Sequence, residues 1–147
     1  MPKLASAATL IFVCVIVGIQ PQARAQDKAL LLFGGDDHKT FLGCLNCNKF
    51  SGVSLCNKFG QFGSKFNSES IWNRFGDFGS KFNSDSPWNK FTDSAPIIAD
   101  KDGNSFGYFS ANKFHHDRTR IKWLVQILDY QSAEDDLEST RGAMCGD

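Results

Sequence analysis

The chain has no surplus of charge of either sign: 16 basic residues face 16 acidic ones. That balance excludes a general nucleic-acid binder, which needs a strongly basic surface. Aliphatic side chains are scarce as well. Beyond residue 25, Leu, Ile and Val number 16 against 13 Phe, so a core is expected to draw heavily on rings. Together these four residue types still lie above the apolar level at which disorder is the default. No exposed-nucleophile elbow, phosphate loop or His-Glu-x-x-His sequence occurs, and nothing marks an enzyme. Only one long apolar run exists, at the N terminus, and the rest of the chain has the length of one domain.

Residues 1–25 read as an export signal. Lys3 supplies the cationic start, Leu4 to Ile19 the apolar run, and Ala23-Arg24-Ala25 a small-x-small cleavage site. Removal is expected between Ala25 and Gln26. A chain cleaved there is exported to the periplasm or cell exterior and does not span a membrane.

Residues 47–62, 63–78 and 79–94 align without a gap as three tandem units of sixteen residues. Phe50, Phe66 and Phe82 correspond, as do Phe59, Phe75 and Phe91. A cation precedes each ring: Lys49, Lys65 and Lys81 in the first set, Lys58, Arg74 and Lys90 in the second. Ser54, Ser70 and Ser86 stand three residues before Asn57, Asn73 and Asn89. Each unit is expected to be a short strand joined to one helical turn. Ser86 would cap that turn, Pro87 would occupy its first position, and Gly76 would stop the copy before it. Units this short cannot bury their own rings, so neighbours must stack, with Phe50, Phe66 and Phe82 expected in the core.

The flanks supply the ends. Ala29 to Phe33 and Thr40 to Gly43 read as one hairpin, and Pro96 to Ala99 with Ser105 to Phe109 as a second, turning at Asp102-Gly103. Asp117 is expected to cap a closing helix with Ile121, Leu124, Val125 and Leu128 on its apolar stripe. Residues 131–147 carry Glu134, Asp135, Asp136, Glu138 and Asp147 against Arg141 alone and read as an acidic flexible tail. The expected fold is a small single-domain α+β protein over 26–130: hairpin, three aromatic repeats, second hairpin, C-terminal amphipathic helix.

The motif string Gly43-Cys44-Leu45-Asn46-Cys47, the Ser-x-x-Trp-Asn units spaced by Gly-Ser-Lys-Phe, and Asp100-Lys101-Asp102-Gly103-Asn104 before Gly107-Tyr108-Phe109 resemble a group of short exported or surface-associated bacterial proteins. That group usually has Tyr where this chain has Phe, and it has no assigned activity. The resemblance spans about Leu31 to Leu128, implies a bacterial source and carries over no catalytic residue.

Beyond the signal the cysteines are Cys44, Cys47, Cys56 and Cys145. In an exported chain a disulfide is the default. Cys56 occupies the slot of Trp72 and Trp88, so it is expected to pair with Cys44 or Cys47, closing a loop that contributes roughly 2 to 3 kcal/mol. The rival is a metal or thiol site in an enzyme, built from Cys44, Cys47, Cys56 and a histidine such as His115. His115-His116-Asp117 invites acid-base chemistry, but Asp117 is already spent as a cap. Asp100-x-Asp102-Gly103-Asn104 lacks the calcium-loop spacing and is better read as a turn.

What remains is the surface of the repeats. Trp72, Trp88, Asn73, Asn89, Arg74 and Lys90 are the candidate binding residues, flat apolar faces beside hydrogen-bond donors. They lead to a non-catalytic exported structural or binding module, with no cofactor and a cell-envelope glycan or protein as the partner class; a secreted effector is the third option.

Overall fold

The computed structural model describes residues 28–147; the export signal expected at 1–25 lies outside them. The domain is α+β. Four strands, β1 (Leu31–Gly34), β2 (Thr40–Cys44), β3 (Ile97–Ala99) and β4 (Ser105–Tyr108), are followed by helices α1 (Lys122–Glu134) and α2 (Leu137–Cys145). The strands form one sheet in the order β2-β1-β3-β4, each pair antiparallel. Both hairpins fall where apolar runs flank Gly- and Asp-rich turns. In the first, Leu32 pairs with Gly43 and Phe33 with Phe41, so Leu42 is the extra residue of a bulge. Gly43 permits it with φ 112°, and a Cβ there would stand 2.8 Å from Cβ of Phe62. In the second, Gly103 takes φ 84° and the Asp100 carboxylate closes the turn, accepting from the backbone N–H of Asp102 and of Asn104 at 2.9 Å each.

The three units lie between β2 and β3, inserted into the middle of the sheet's sequence. They contain neither the strands nor the helical turns expected of them; each is a run of successive tight turns, as where the N–H groups of Ser70, Asn73 and Gly76 bond the carbonyls of Asn67, Ser70 and Asn73, and side chains close them. Ser70 Oγ accepts from the Trp72 N–H at 3.2 Å and donates to the Phe62 carbonyl at 2.9 Å. Asn73 Oδ1 accepts from the Phe75 N–H at 3.1 Å while its Nδ2 donates to the Asn67 carbonyl at 3.1 Å. Ser86 and Asn89 repeat the serine-to-N–H and both asparagine bonds sixteen residues on. Ser86 thus begins as a helix cap would, but Asn89 competes for the next backbone groups and ends the turn at once.

Each indole bonds back to the unit before it. Trp72 Nε1 donates to the Leu55 carbonyl at 2.8 Å and Trp88 Nε1 to that of Ile71 at 2.6 Å. The two rings pack with centroids 5.5 Å apart, and Phe109 closes the file edge-on against Trp88 at the same separation. Around this file the core is largely aliphatic: Leu32, Leu42 and Ile98 from the sheet, Leu55 and Ile71 from the units, Leu124 and Leu128 from α1. The expectation of a phenyl core is therefore corrected. Phe62 and Phe109 are buried, but Phe50, Phe66 and Phe82 are 81–84% exposed, and Phe59, Phe75, Phe91 and Phe114 more so. Two indoles and the aliphatics fill the interior before the phenyls can enter.

Two further expectations at the C-terminal end change. Asp117 is exposed and does not cap α1; the N-cap is Ile121, without a side-chain bond. Residues 131–147 are not a tail. Asp135, at φ 54°, ends α1, and Asp136 starts α2 by accepting from the Glu138 N–H at 3.0 Å. The chain then runs back along the units as a strap. Lys90 donates to the Ser132 carbonyl at 2.8 Å, Lys81 pairs with Asp135, Lys65 lies 3.8 Å from Glu138 and Lys58 3.0 Å from Asp147. A disulfide between Cys56 and Cys145 fastens its end. Asp135, Glu138 and Asp147 are the counter-charges of the repeat lysines, in pairs that stay open to solvent. Among the described residues no helix is long and apolar enough to cross a membrane.

Candidate functional site

The arrangement that most departs from an ordinary soluble surface is the outer side of the units. Six phenyl rings, two from each unit, stand 81–100% exposed. A free phenyl side chain presents on the order of 150 Å² or more, so six exceed the few hundred Å² that a monomer ordinarily leaves bare. Turn geometry puts them there. The side chains of Asn57, Asn73 and Asn89 hold the N–H of Phe59, Phe75 and Phe91, and the hydroxyls of Ser64 and Ser80 hold those of Phe66 and Phe82. Each ring is thereby fixed at the outer corner of its turn.

Neighbouring rings wall a series of clefts between the units and the strap. Phe66 and Phe75 bound one of about 660 Å³, with Trp72 at its floor and Lys58, Lys65, Arg74 and Arg141 around it. The next, of about 580 Å³, lies between Phe75 and Phe82 over Trp88; a third, of about 610 Å³, between Phe82 and Phe91 over the same indole. In three turns the lysine ammonium lies over the ring beside it: Lys49 at 5.7 Å from the Phe50 centroid, Lys65 at 5.6 Å from Phe66 and Lys81 at 5.4 Å from Phe82. Arg141, on the strap itself, is buried, its Nη2 donating to the Cys56 carbonyl at 3.2 Å. Its Nε is the one buried side-chain nitrogen or oxygen without a partner among the described residues.

The candidate residues divide. Arg74 and Lys90 stand exposed on this face. Asn73 and Asn89 are spent inside their turns. Trp72 and Trp88, expected as binding platforms, are 3% and 2% exposed, so their ring faces are corrected to core. What sequence reasoning missed is that the phenyls trade places with them. The signal was available in the cation before every ring, an arrangement that keeps the dipeptide at the surface.

The cysteines are corrected too. Cys44 pairs with Cys47, and Cys56 with Cys145 rather than with either of them. All four sulfurs are thus disulfide-bonded, and in this state Cys44, Cys47 and Cys56 offer no thiolate to a metal. His115 is occupied elsewhere: Nε2 bonds the Asp93 carbonyl at 3.1 Å, Nδ1 accepts from the Asp117 N–H at 3.2 Å, and the ring packs on Tyr108 at 4.2 Å. His38 and His116 also border Tyr108, a gathering of all three histidines that no spacing in the sequence foretold. Among the described residues no group of three or more His, Cys, Asp or Glu is placed to hold a metal ion.

Asp85 has two other carboxylates nearby. Burial, then the nearby charges of Asp36 and Asp77, push the Asp85 carboxyl above its ordinary value. No known protein family, curated protein or solved structure matches this chain.

Proposed function

We propose that the protein is a non-catalytic binding module that works outside the cytoplasm and engages its partner through the phenyl-and-cation face. The observation that carries this reading is the exposure of six phenyl rings at the corners of hydrogen-bonded turns. Leaving that much apolar surface in water invites aggregation, so it is retained where a partner covers it. Two disulfides in a domain of this size support a life in an oxidising compartment, in keeping with the leader at residues 1–25.

The test is retention of the oxidised protein on isolated cell-envelope fractions, beside a variant carrying Phe66→Ala, Phe75→Ala, Phe82→Ala and Phe91→Ala. These side chains touch water, so each change is expected to alter stability by no more than about 0.5 kcal/mol, and circular dichroism should be unchanged. Retention is expected to be lost in the variant. Equal retention of both proteins would remove the face from the function and the reading with it.

A further inference from the structure

We infer that the surface covered by this face is an anionic lipid bilayer, an assignment that names the partner for the binding reading above and rests on it. The rings favour a fluid interface over a stacked ligand. The ammonium groups of Lys49, Lys65 and Lys81 lie over one face each of Phe50, Phe66 and Phe82, where they compete with a stacked sugar ring. The outer edges of those rings stay free. An edge can enter the boundary between headgroups and acyl chains while the ammonium beside it stays at the level of the phosphates, the division of labour by which aromatic and basic side chains anchor proteins at membrane surfaces.

Charge is arranged for the same partner. Asp36, Asp77 and Asp85 lie near enough to one another for their charges to interact. On the phenyl side the strap neutralises Lys58, Lys65 and Lys81 through Asp147, Glu138 and Asp135. Lys49, Arg74 and Lys90 have no carboxylate within 4.0 Å among the described residues, and Lys90 meets only a carbonyl, at 2.8 Å. Asp147 feels the charge of Lys49, Asp135 that of Lys90, and Asp135 and Asp136 that of Arg74, but none is in contact with these cations. Three cations without a contact partner beside six rings suit a negatively charged leaflet: the rings supply depth, the cations a preference for anionic headgroups.

The experiment is co-sedimentation of the oxidised protein, purified from a secreting host so that the leader is removed, with large unilamellar vesicles. One set is phosphatidylcholine alone; the other contains phosphatidylglycerol in roughly three-to-one proportion. The protein is expected to pellet with the anionic vesicles at least about tenfold more strongly than with the neutral ones, and the difference should shrink at high salt. The four-phenylalanine variant should lose at least about tenfold in partition to both. Lys49→Gln, Arg74→Gln and Lys90→Gln together should erase the anionic preference and leave the neutral binding. Failure of the wild-type protein to pellet, or pelleting undiminished in the phenylalanine variant, overturns the lipid assignment. If the phenylalanine-dependent retention on envelopes persists after lipid extraction, or if that variant instead abolishes a dimer seen by sedimentation velocity, the partner is a glycan, a protein or a second copy, and only the broader binding reading survives. Loss of neither retention nor pelleting in the variant ends both.

Discussion

Gly79 sits so close to the turn before it that no side chain fits. A Cβ at this position would stand 2.0 Å from the carbonyl oxygen of Asn73, and Gly63 bears the same relation to Asn57. Gly79→Ala must therefore open a turn that Asn73 holds from both ends, and a loss of about 1–3 kcal/mol or more is expected in urea unfolding. Gly52→Ala is the control, since nothing lies within 4 Å of its added carbon; it should be neutral or slightly stabilising, within about 1 kcal/mol. Asp100 gives a second prediction at this scale. Its side chain is 2% exposed and accepts from Asn104 Nδ2 at 2.9 Å, from two backbone N–H groups and from Lys28 Nζ at 3.2 Å. These bonds, that of the Asn104 side chain foremost, hold its carboxyl at about 2, below the ordinary value of 3.8. Because the folded value is the lower one, the stabilisation is complete above about pH 4 and drains away as pH falls through 2. Thermal melts should show Tm falling over that window, and more shallowly in Asp100→Asn, which has no charge to lose.

Helix α2 depends on what lies at its two ends more than on its own nine residues, which are too few to persist alone. Asp136 caps it and the Cys56–Cys145 bond, spanning 89 residues, ties it to the first unit. On the chain-entropy estimate a loop of that span contributes about 4–5 kcal/mol at most, whereas the Cys44–Cys47 loop is worth about 2 kcal/mol. Replacing Cys56 and Cys145 together by Ser should lower Tm well beyond the change caused by replacing Cys44 and Cys47, and amide exchange should rise over α2 first. Several elements were legible in the chain and others were not, for separable reasons. The hairpins could be read because Leu30 to Phe33 and Ile97-Ile98 are apolar runs beside turn-forming Gly, Asp and Asn, a purely local signal. The strap could not, because Glu138 and Asp147 look like solvated residues until the lysines they meet, 73 and 89 positions away, are in place. The units were misjudged in shape: Ser and Asn read as caps and solvating polar groups, while in fact they supply the hydrogen bonds that a strand or helix would otherwise make.

Across the whole molecule the two kinds of ring part company. Indoles carry an N–H that finds a carbonyl in the preceding unit, so they can be buried and still bonded; phenyls offer no such bond, and each of the six exposed ones in the units follows a cation that is costly to bury, whereas Phe62, after Gln61, is buried. The site was thus half visible, in the cation that precedes each of the six exposed repeat phenyls, and half hidden, because composition suggested a core built from rings and did not say that two indoles and the aliphatics would fill it.

The Cys56–Cys145 bond also acts as a gauge. The C-terminal segment spans a fixed distance from the last unit, where Ser132 meets Lys90, to the first, where Cys145 meets Cys56. Duplicating or deleting one sixteen-residue copy would move Cys56 by the rise of one unit and leave Cys145 facing the wrong turn. A chain with a miscounted array should therefore keep two free thiols after oxidation, which thiol titration of a variant lacking one copy would reveal.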